Sequence, residues 1–412
     1  MRTHWPVVPL WSLTNEIRRA IEPAEFNGDF FHYSIPVVEE TGTGRIESAS
    51  DVGSAKLLLD GGEVLISKLN PRKGRVLITQ RHNIPVVASP EFIALHPNSA
   101  ILDRFLAYWL SSETTRLYLD AHVQSVTRSH QRVTPELIRH LKVAIPPLDE
   151  QRRIAYFLDT ETAHIDRIVA LRNFQVEKLS EALLCEARRV TGPEWKKVPL
   201  RRVVASVHTG TTPTDLLHTS EPGNVPWYTP AALGGNLDLN GAEKSIRQED
   251  AHEVPRFSAE SILIVGIGES LGKVADLDHE ATGNQQLTAI KVSPNADRRF
   301  IAWRLFAAYE EIRAWAQYSR VRIINNDVLK SFTIPIPPIE RQIEVRQQLD
   351  HRHTQLADFR GAATRFSQLA AERRKALITA AVTGQFDVTT AGQRVSPGDS
   401  EVRLGLSGVR AV

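Results

Sequence analysis

The residues best placed for chemistry here are those that could read an anionic, hydrogen-bonding polymer. Two stretches supply them. VTRSHQRV at 126–133 offers Arg128, Ser129, His130, Gln131 and Arg132, and YSRVRIINND at 318–327 offers Arg320, Arg322, Asn325 and Asn326. Arginine can grip guanine with two hydrogen bonds, asparagine and glutamine can do the same for adenine, and any cation can meet a phosphate. The plain alternative for each stretch is a solvated polar loop. A basic turn, SKLNPRKGR at 67–75, adds Lys68, Arg72, Lys73 and Arg75, while its counterpart GIGESLGK keeps only Lys273. Such a turn is either a DNA contact or simply exposed. TGTTPT at 209–214 offers hydroxyls and amides to phosphate, or is an ordinary loop.

Bond-making chemistry is hard to find. GIGESLGKV at 266–274 brushes against two nucleotide motifs and fits neither. A P-loop needs a hydroxyl where Val274 stands, and a dinucleotide fingerprint needs its third glycine one place before Gly272. The stretch reads as strand–turn–strand. An amino-methyltransferase would carry Asp/Asn-Pro-Pro-aromatic, but both double prolines here lie between aliphatic residues. HRH at 351–353 has no clustered third ligand and reads as a polar helix face. Cys185, the single cysteine, excludes an internal disulfide framework and reads as a buried helix residue in an intracellular protein. No pair of acids stands out as a nuclease centre.

What must position these residues is a repeat. IPPLDEQRRIAYFLD at 145–159 returns as IPPIERQIEVRQQLD at 336–350. RFLAYWL at 104–110 returns as RFIAWRL at 299–305; Trp5 and Trp195 each precede a VPL, and VTG closes each half. These landmarks keep their order and recur at roughly 190 residues, so the chain reads as a tandem duplication. Each half begins with β-rich runs such as GEVLISKL and SILIVGI. An amphipathic helical region packed on a sheet follows, then the double proline.

A long helix follows each double proline, which restricts what precedes it. A 4-3 spacing selects Ile154, Leu158, Ile165, Leu179 and Leu183 in the first copy, and Val345, Leu349, Leu356, Phe366 and Ala370 in the second. That is a coiled-coil seam. Glu161 and Arg352 intrude at equivalent positions, and an antiparallel pairing would let them meet or leave both solvated. A helix of about 35 residues spans roughly 50 Å, long enough for a rigid spacer.

The totals permit this. A chain of 412 residues suits two or three domains, and a hydrophobic fraction of 42% can fill their cores. Net charge is +2, so local patches rather than the sum decide whether nucleic acid is bound. No apolar run approaches the roughly 18–20 residues of a membrane span, and the start lacks a signal-peptide pattern, so the expected location is cytoplasmic.

At this point the sequence resembles a family. PPLDEQRRIAYFLDTETAHID, with ALLCEARRVTG behind it, resembles the central conserved region of type I restriction–modification specificity subunits. PPIERQIEVRQQLD to RRKALITAAVTGQFDV resembles their distal conserved region. TGTTPT, VPWYTPAAL at 225–233 and GNQQLTAI at 283–290 resemble their second target-recognition domain. The resemblance covers about residues 5–388. It departs at Arg341, which stands where the first copy has Glu150, and 5–144 has no comparably clear recognition phrase.

The resemblance implies an α+β fold. Two similar mixed α/β globular domains would be separated by two long helices that pair as an antiparallel coiled coil, with pseudo-two-fold symmetry. The expected segments are recognition domains at 1–144 and 193–335, spacer helices at 145–192 and 336–388, and a disordered tail at 389–412. It implies a non-catalytic chain that reads one half of a bipartite duplex DNA site with each domain. Its helices would set the gap and dock two modification subunits, and a restriction/translocase subunit is a further partner. Two readers of the major groove on one face of the duplex sit favourably about 34 Å apart. No cofactor is expected in this chain; S-adenosylmethionine, ATP and magnesium are expected on the partner subunits. The competing reading is a coiled-coil scaffold that organises protein partners and binds no DNA. A third reading, an enzyme in its own right, is the least favoured.

Overall fold

The computed structural model describes residues 5–25, 27–51, 53–124, 131–192, 194–318 and 322–388. The expected disordered tail lies outside them. The chain divides into two compact units, Met1–Val169 with Phe366–Val412, and Ala170–Arg365.

In the first unit the continuous apolar run Val64–Ser67 is buried throughout and forms an inner strand. It lies in an antiparallel sheet of order Thr14–Ile17, Phe92–Pro97, Val64–Ser67, Val76–Ile78. A second, five-stranded sheet holds one parallel pair, Asp29–Tyr33 beside Val86–Ala88. The helix Asp103–Ser111 sends Phe105, Leu106 and Leu110 into the same core as Val64, Ile66, Ile93 and Leu95. Ser112 ends that helix and caps the next, Glu113–Ala121, by accepting from the Thr115 amide. The short strands Val7–Pro9 and Lys142–Ala144 pair just ahead of the double proline.

The second unit rebuilds this plan. Its sheet runs Val204–Thr209, Leu287–Val292, Ser261–Val265, Val274–Leu277, and Val225–Tyr228 lies parallel to Thr282–Gly283. The GIGESLGKV stretch joins Ser261–Val265 to Val274–Leu277 as an antiparallel hairpin, so strand–turn–strand is its structure. One expectation changes. The helix Arg298–Ala307 is not amphipathic but enclosed, with Phe300, Ile301, Trp303 and Leu305 buried and Arg304 neutralised by Glu311 at 2.8 Å. It lies in one core with Ile262 and Ile290 of the sheet and Val345 and Leu349 of the long helix, and only Arg298, Arg299 and Phe306 reach solvent in part.

The long helices are Leu148–Val190 and Ile339–Val382, 43 and 44 residues, longer than the expected ~35. Each starts directly after its double proline. Gly384, with φ of 71°, ends the second in the left-handed conformation that glycine adopts without penalty, and the Trp5 ring packs on it. The repeated phrase is explained by a glutamine. Gln151, buried, donates to the carbonyls of Pro146 and Ala100 at 2.9 and 3.0 Å and accepts from the Leu102 amide at 2.8 Å. Gln342 donates to Pro337 at 2.9 Å and accepts from Asp297 at 2.8 Å. Each glutamine bolts a helix start to its own proline turn and to the helix that crosses it. The change from Glu150 to Arg341 leaves this bolt intact.

Within each unit the helix segments run antiparallel. In the first, Ile154 and Leu158 share a core with Ile378, Ala381 and Val382, and Asp166 faces Arg374 at 3.7 Å. In the second, Leu183 shares a core with Leu349 and Leu356, and Glu186 faces Arg352 at 3.6 Å. Arg352 therefore faces Glu186 rather than Glu161, so of the two alternatives for this pair the meeting is not made. Ile154, Leu158, Ile165, Val345, Leu349 and Leu356 are buried as the seam requires. Leu179 and Phe366 are not, at 45% and 38% exposed. Leu179 lines an open groove with Ala182, Leu356 and Phe359, where the small alanine leaves the space unfilled. At Phe366 the side chain alone turns to solvent, since Ala363 and Ala370 on either side of it along the seam are buried. Cys185 is also exposed, contrary to the buried reading, because it falls outside the apolar stripe. His353 is no free polar face: it bonds Asp238 at 2.8 Å and meets the Trp303 ring edge-on.

Candidate nucleic-acid interface

The two polar stretches of each half are distant in sequence and adjacent in the fold. In the first unit Gln131–Val133 lies along Lys68–Asn70. The Asn70 amide donates to the Gln131 carbonyl at 2.7 Å, the Val133 amide to Lys68 at 3.1 Å, and the Lys68 amide to Glu91 at 2.8 Å. In the second unit the same three bonds recur. Gly268 donates to Arg322 at 3.1 Å, Ile324 to Gly266 at 2.9 Å, and Gly266 to Gln286 at 2.8 Å. Gln131 thus corresponds to Arg322, Arg132 to Ile323 and Glu91 to Gln286. One backbone frame carries different side chains in the two units.

The first unit's frame is charged and largely paired. Arg132 binds Glu91 through two hydrogen bonds, 2.9 and 3.1 Å, so its guanidinium is already oriented. Lys73 and Arg75 converge on Glu39, whose carboxyl they hold below its ordinary pKa. Arg75 is buried and also donates to the Leu69 carbonyl at 2.8 Å, so it braces the turn. Lys68 is half-buried. Arg72 is exposed, and its carbonyl accepts from Arg116 at 3.1 Å. Asn70 has φ of 49°, the left-handed region that asparagine tolerates, and this lets the chain enter the Pro71–Lys73 turn. Arg128, Ser129, His130 and Arg320 lie outside the described residues.

The second unit's frame is amide- and hydroxyl-rich. Arg322 and Lys273 are exposed. Asn325 caps the helix Asn326–Ser331 by accepting from the Val328 amide at 2.8 Å, as Thr134 caps Pro135–Arg139 in the first unit. Asn326 accepts from the Thr209 hydroxyl at 3.2 Å. Both side-chain oxygens therefore also serve the fold: a cap oxygen is occupied by the helix it starts. Thr209 begins TGTTPT, which is anchored on GNQQ. The Gly210 amide donates to Leu287 at 3.0 Å, the Thr211 amide to Gly283 at 2.8 Å, and the Thr212 hydroxyl to Gln285 at 2.6 Å. A Cβ on Gly210 would stand 2.1 Å from the Gly283 carbonyl oxygen, so only glycine fits.

Gln285 and Gln286 belong to this edge and were not singled out by type and spacing; their signal was a pair of adjacent amides in GNQQ. Gln285 is exposed beside Thr212, and Gln286 donates to the Ile267 carbonyl at 3.3 Å, which ties GNQQ to the hairpin turn. The edge offers cations, carboxamides and hydroxyls suited to phosphates and base edges. Among the described residues there is no group of three or more His, Cys, Asp or Glu able to hold a metal ion, and no helix is long and apolar enough to cross a membrane.

Comparison with known proteins gives this arrangement a family. The family model for the type I restriction modification DNA specificity domain matches twice, at residues 26–178 and 193–352. A protein named as the MjaX type I restriction enzyme specificity subunit of Methanocaldococcus jannaschii is 21% identical over 378 residues, 84% of this chain and 86% of its own length. The HindI specificity subunit of Haemophilus influenzae is 29% identical over 143 residues, 34% of this chain and 30% of its own. A chain from a structure concerned with complex assembly and conformational transition of the type I R-M system superposes with a TM-score of 0.71 at 17% identity. That match covers 92% of this chain and 97% of the other, a likeness of fold. With both of its halves matched, the chain belongs to the type I restriction–modification specificity family, whose members are non-catalytic DNA-specificity subunits.

Proposed function

We propose that each unit reads one half of a bipartite duplex DNA site through the edge just described. The readers are Gln131, Arg132, Lys68, Arg72 and Lys73 in the first unit, and Arg322, Lys273, Gln285 and Thr212 in the second. The recognition domains are taken as 1–144 and 193–335. The helical segments 145–192 and 336–388 set the gap between half-sites and dock two modification subunits, which bring S-adenosylmethionine and the methylation chemistry. A restriction subunit using ATP and magnesium would join the same complex, in the cytoplasm. One observation carries the reading: the three-bond frame is rebuilt in both units while its side chains differ, as expected of one scaffold serving two sequences.

Methylome sequencing of a host with and without this chain tests it. The expected result is a bipartite adenine-methylation motif that disappears on deletion; an unchanged methylome refutes the proposal. Titration of purified chain against duplex DNA at two salt concentrations separates it from a scaffold. Phosphate neutralisation gives a steep fall of affinity with salt, and a scaffold gives none.

A further inference from the structure

The two units are copies of one fold, and beside the helices Asp103–Ser111 and Arg298–Ala307 they differ in a way the recognition edge does not account for. In the first, a cavity of about 540 Å³ opens beside the helix Asp103–Ser111. Its cations are Lys73, Arg104, Arg116, Arg374 and Lys375, and Val76, Ile78, Ala107 and Ile378 supply apolar surface. The flank of this place is anchored alike in both units. Arg104 pairs with Asp159, which also takes the Tyr108 hydroxyl at 2.8 Å. Arg299 and Trp303 bond Asp350 in the same way, at 2.7 and 2.8 Å.

Beyond that anchor the copies diverge. Trp303, in the place of Tyr108, is completely buried. Tyr309 stands over Gly272 where Arg116 stands over Gly74. Asp276 holds the strand position of Ile78 and neutralises Arg298 and Arg299. In the second unit a buried tryptophan, a tyrosine and a paired carboxylate hold these positions; in the first the same positions line a basic cavity.

Arg374 is only loosely engaged: the carboxylate that faces its Nε, Asp166, is 3.7 Å away, beyond hydrogen-bond reach, and its side chain is 43% exposed. Lys375 is exposed and has no ion-pair partner among the described residues. The other three cations meet carboxylates, Asp159, Glu113 and Glu39, in pairs that water screens at least in part.

We propose that this cavity binds a phosphate ester of nucleotide size. The guanidinium forks of Arg116 and Arg374 and the ammonium of Lys375 take phosphate oxygens, and the apolar lining takes the organic body. Planar guanidinium donors match phosphate geometry two bonds at a time, and the volume lies within the range of small-molecule sites. The concave shape favours a soluble nucleoside polyphosphate. A DNA backbone phosphate carries the same chemistry and is the second source to be distinguished, since Arg116 is tied to the basic turn through the Arg72 carbonyl. The inference does not depend on which bases the chain reads.

The test uses the full chain, titrated calorimetrically with ATP and with inorganic tripolyphosphate, and separately with duplex DNA. The variants are Lys375→Glu, an exposed change that leaves folding intact, and Ile78→Asp, which copies the second unit's carboxylate. Both phosphates should bind the parent chain and bind each variant about ten-fold or more weakly. If duplex affinity is unchanged in the variants, the site serves a soluble ligand. If it falls in parallel with tripolyphosphate affinity, the phosphate comes from DNA. Absence of phosphate binding together with unaltered duplex affinity overturns the proposal, as does equal phosphate binding by parent and Lys375→Glu.

Discussion

The amide of Asp297 donates to the side-chain oxygen of Gln342 at 2.8 Å, while the same carboxamide donates to Pro337 at 2.9 Å. Gln342 is 1% exposed, and Gln151 makes the equivalent bonds in the first unit. Alanine at either position leaves two or three buried backbone groups unsatisfied, at roughly 1–3 kcal/mol for each. Gln342→Ala and Gln151→Ala should each destabilise the protein by about 3 kcal/mol in urea unfolding, whereas exposed Glu340→Ala should stay within about 0.5 kcal/mol. Equal, small effects at all three positions would contradict the bolt.

Arg322 and Asn325 lie three residues apart on the second unit's edge, yet their side chains serve different ends. Asn325 holds the Val328 amide, and Arg322 is exposed. Asn325→Ala should cost about 1 kcal/mol of stability, the usual worth of a helix cap. Arg322→Ala should leave the melting temperature unchanged and weaken duplex binding. A phosphate contact would show as a salt slope shallower by about 1, a base contact as a cost at one base pair. Loss of stability in Arg322→Ala with DNA affinity intact would reverse the assignment.

How legible these roles are in the sequence depends on distance along the chain. The duplication, the hairpin of GIGESLGKV and the helix starts rest on local signals: proline, glycine, and apolar runs of strand length. The glutamine bolt does not. The difference between Glu150 and Arg341 is conspicuous, but the bonds are made by the shared glutamine next door to backbone groups on a helix start far upstream. Asn325 offers the same side-chain oxygen to a helix cap and to a base edge, and the sequence does not show that the Val328 amide takes it. The adjacency of the two polar stretches is likewise a product of the sheet, since Asn70 and Gln131 meet only once the intervening strands are laid down.

Asp238 joins a short strand to the second long helix. Burial opposes its ionisation, but hydrogen bonds from His353 at 2.8 Å and Arg360 at 2.7 Å outweigh it and hold its pKa below the ordinary value. A carboxyl with a depressed folded pKa contributes stability above its unfolded pKa, about 3.9, and loses it as pH falls through the folded value. The parent melting temperature should therefore drop more steeply below about pH 4 than that of Asp238→Asn, with the gap widest at neutral pH. Melting curves from pH 7 to 3 at constant ionic strength decide this; parallel profiles would mean that the ion pairs are dispensable.

Leu158 and Leu179 occupy the same stripe of the first long helix and have opposite surroundings. Leu158 is fully buried with Ile154, Ile378 and Val382, whereas Leu179 lines an open groove. Truncating a buried leucine costs the transfer of its methyl groups from the core plus the cavity left behind, about 2–5 kcal/mol. Truncating one already half in water should cost under about 1 kcal/mol. Leu158→Ala should thus destabilise the chain strongly and Leu179→Ala barely. Leu179→Ala should instead weaken assembly with the modification subunits, because an exposed apolar side chain at a groove has more area to bury against a partner than within its own fold. Stability comes from unfolding curves of the isolated chain, and assembly from sedimentation of the mixture. If Leu179→Ala destabilises the chain as much as Leu158→Ala while assembly is untouched, the groove is part of a closed seam and the docking role of this helix face is wrong.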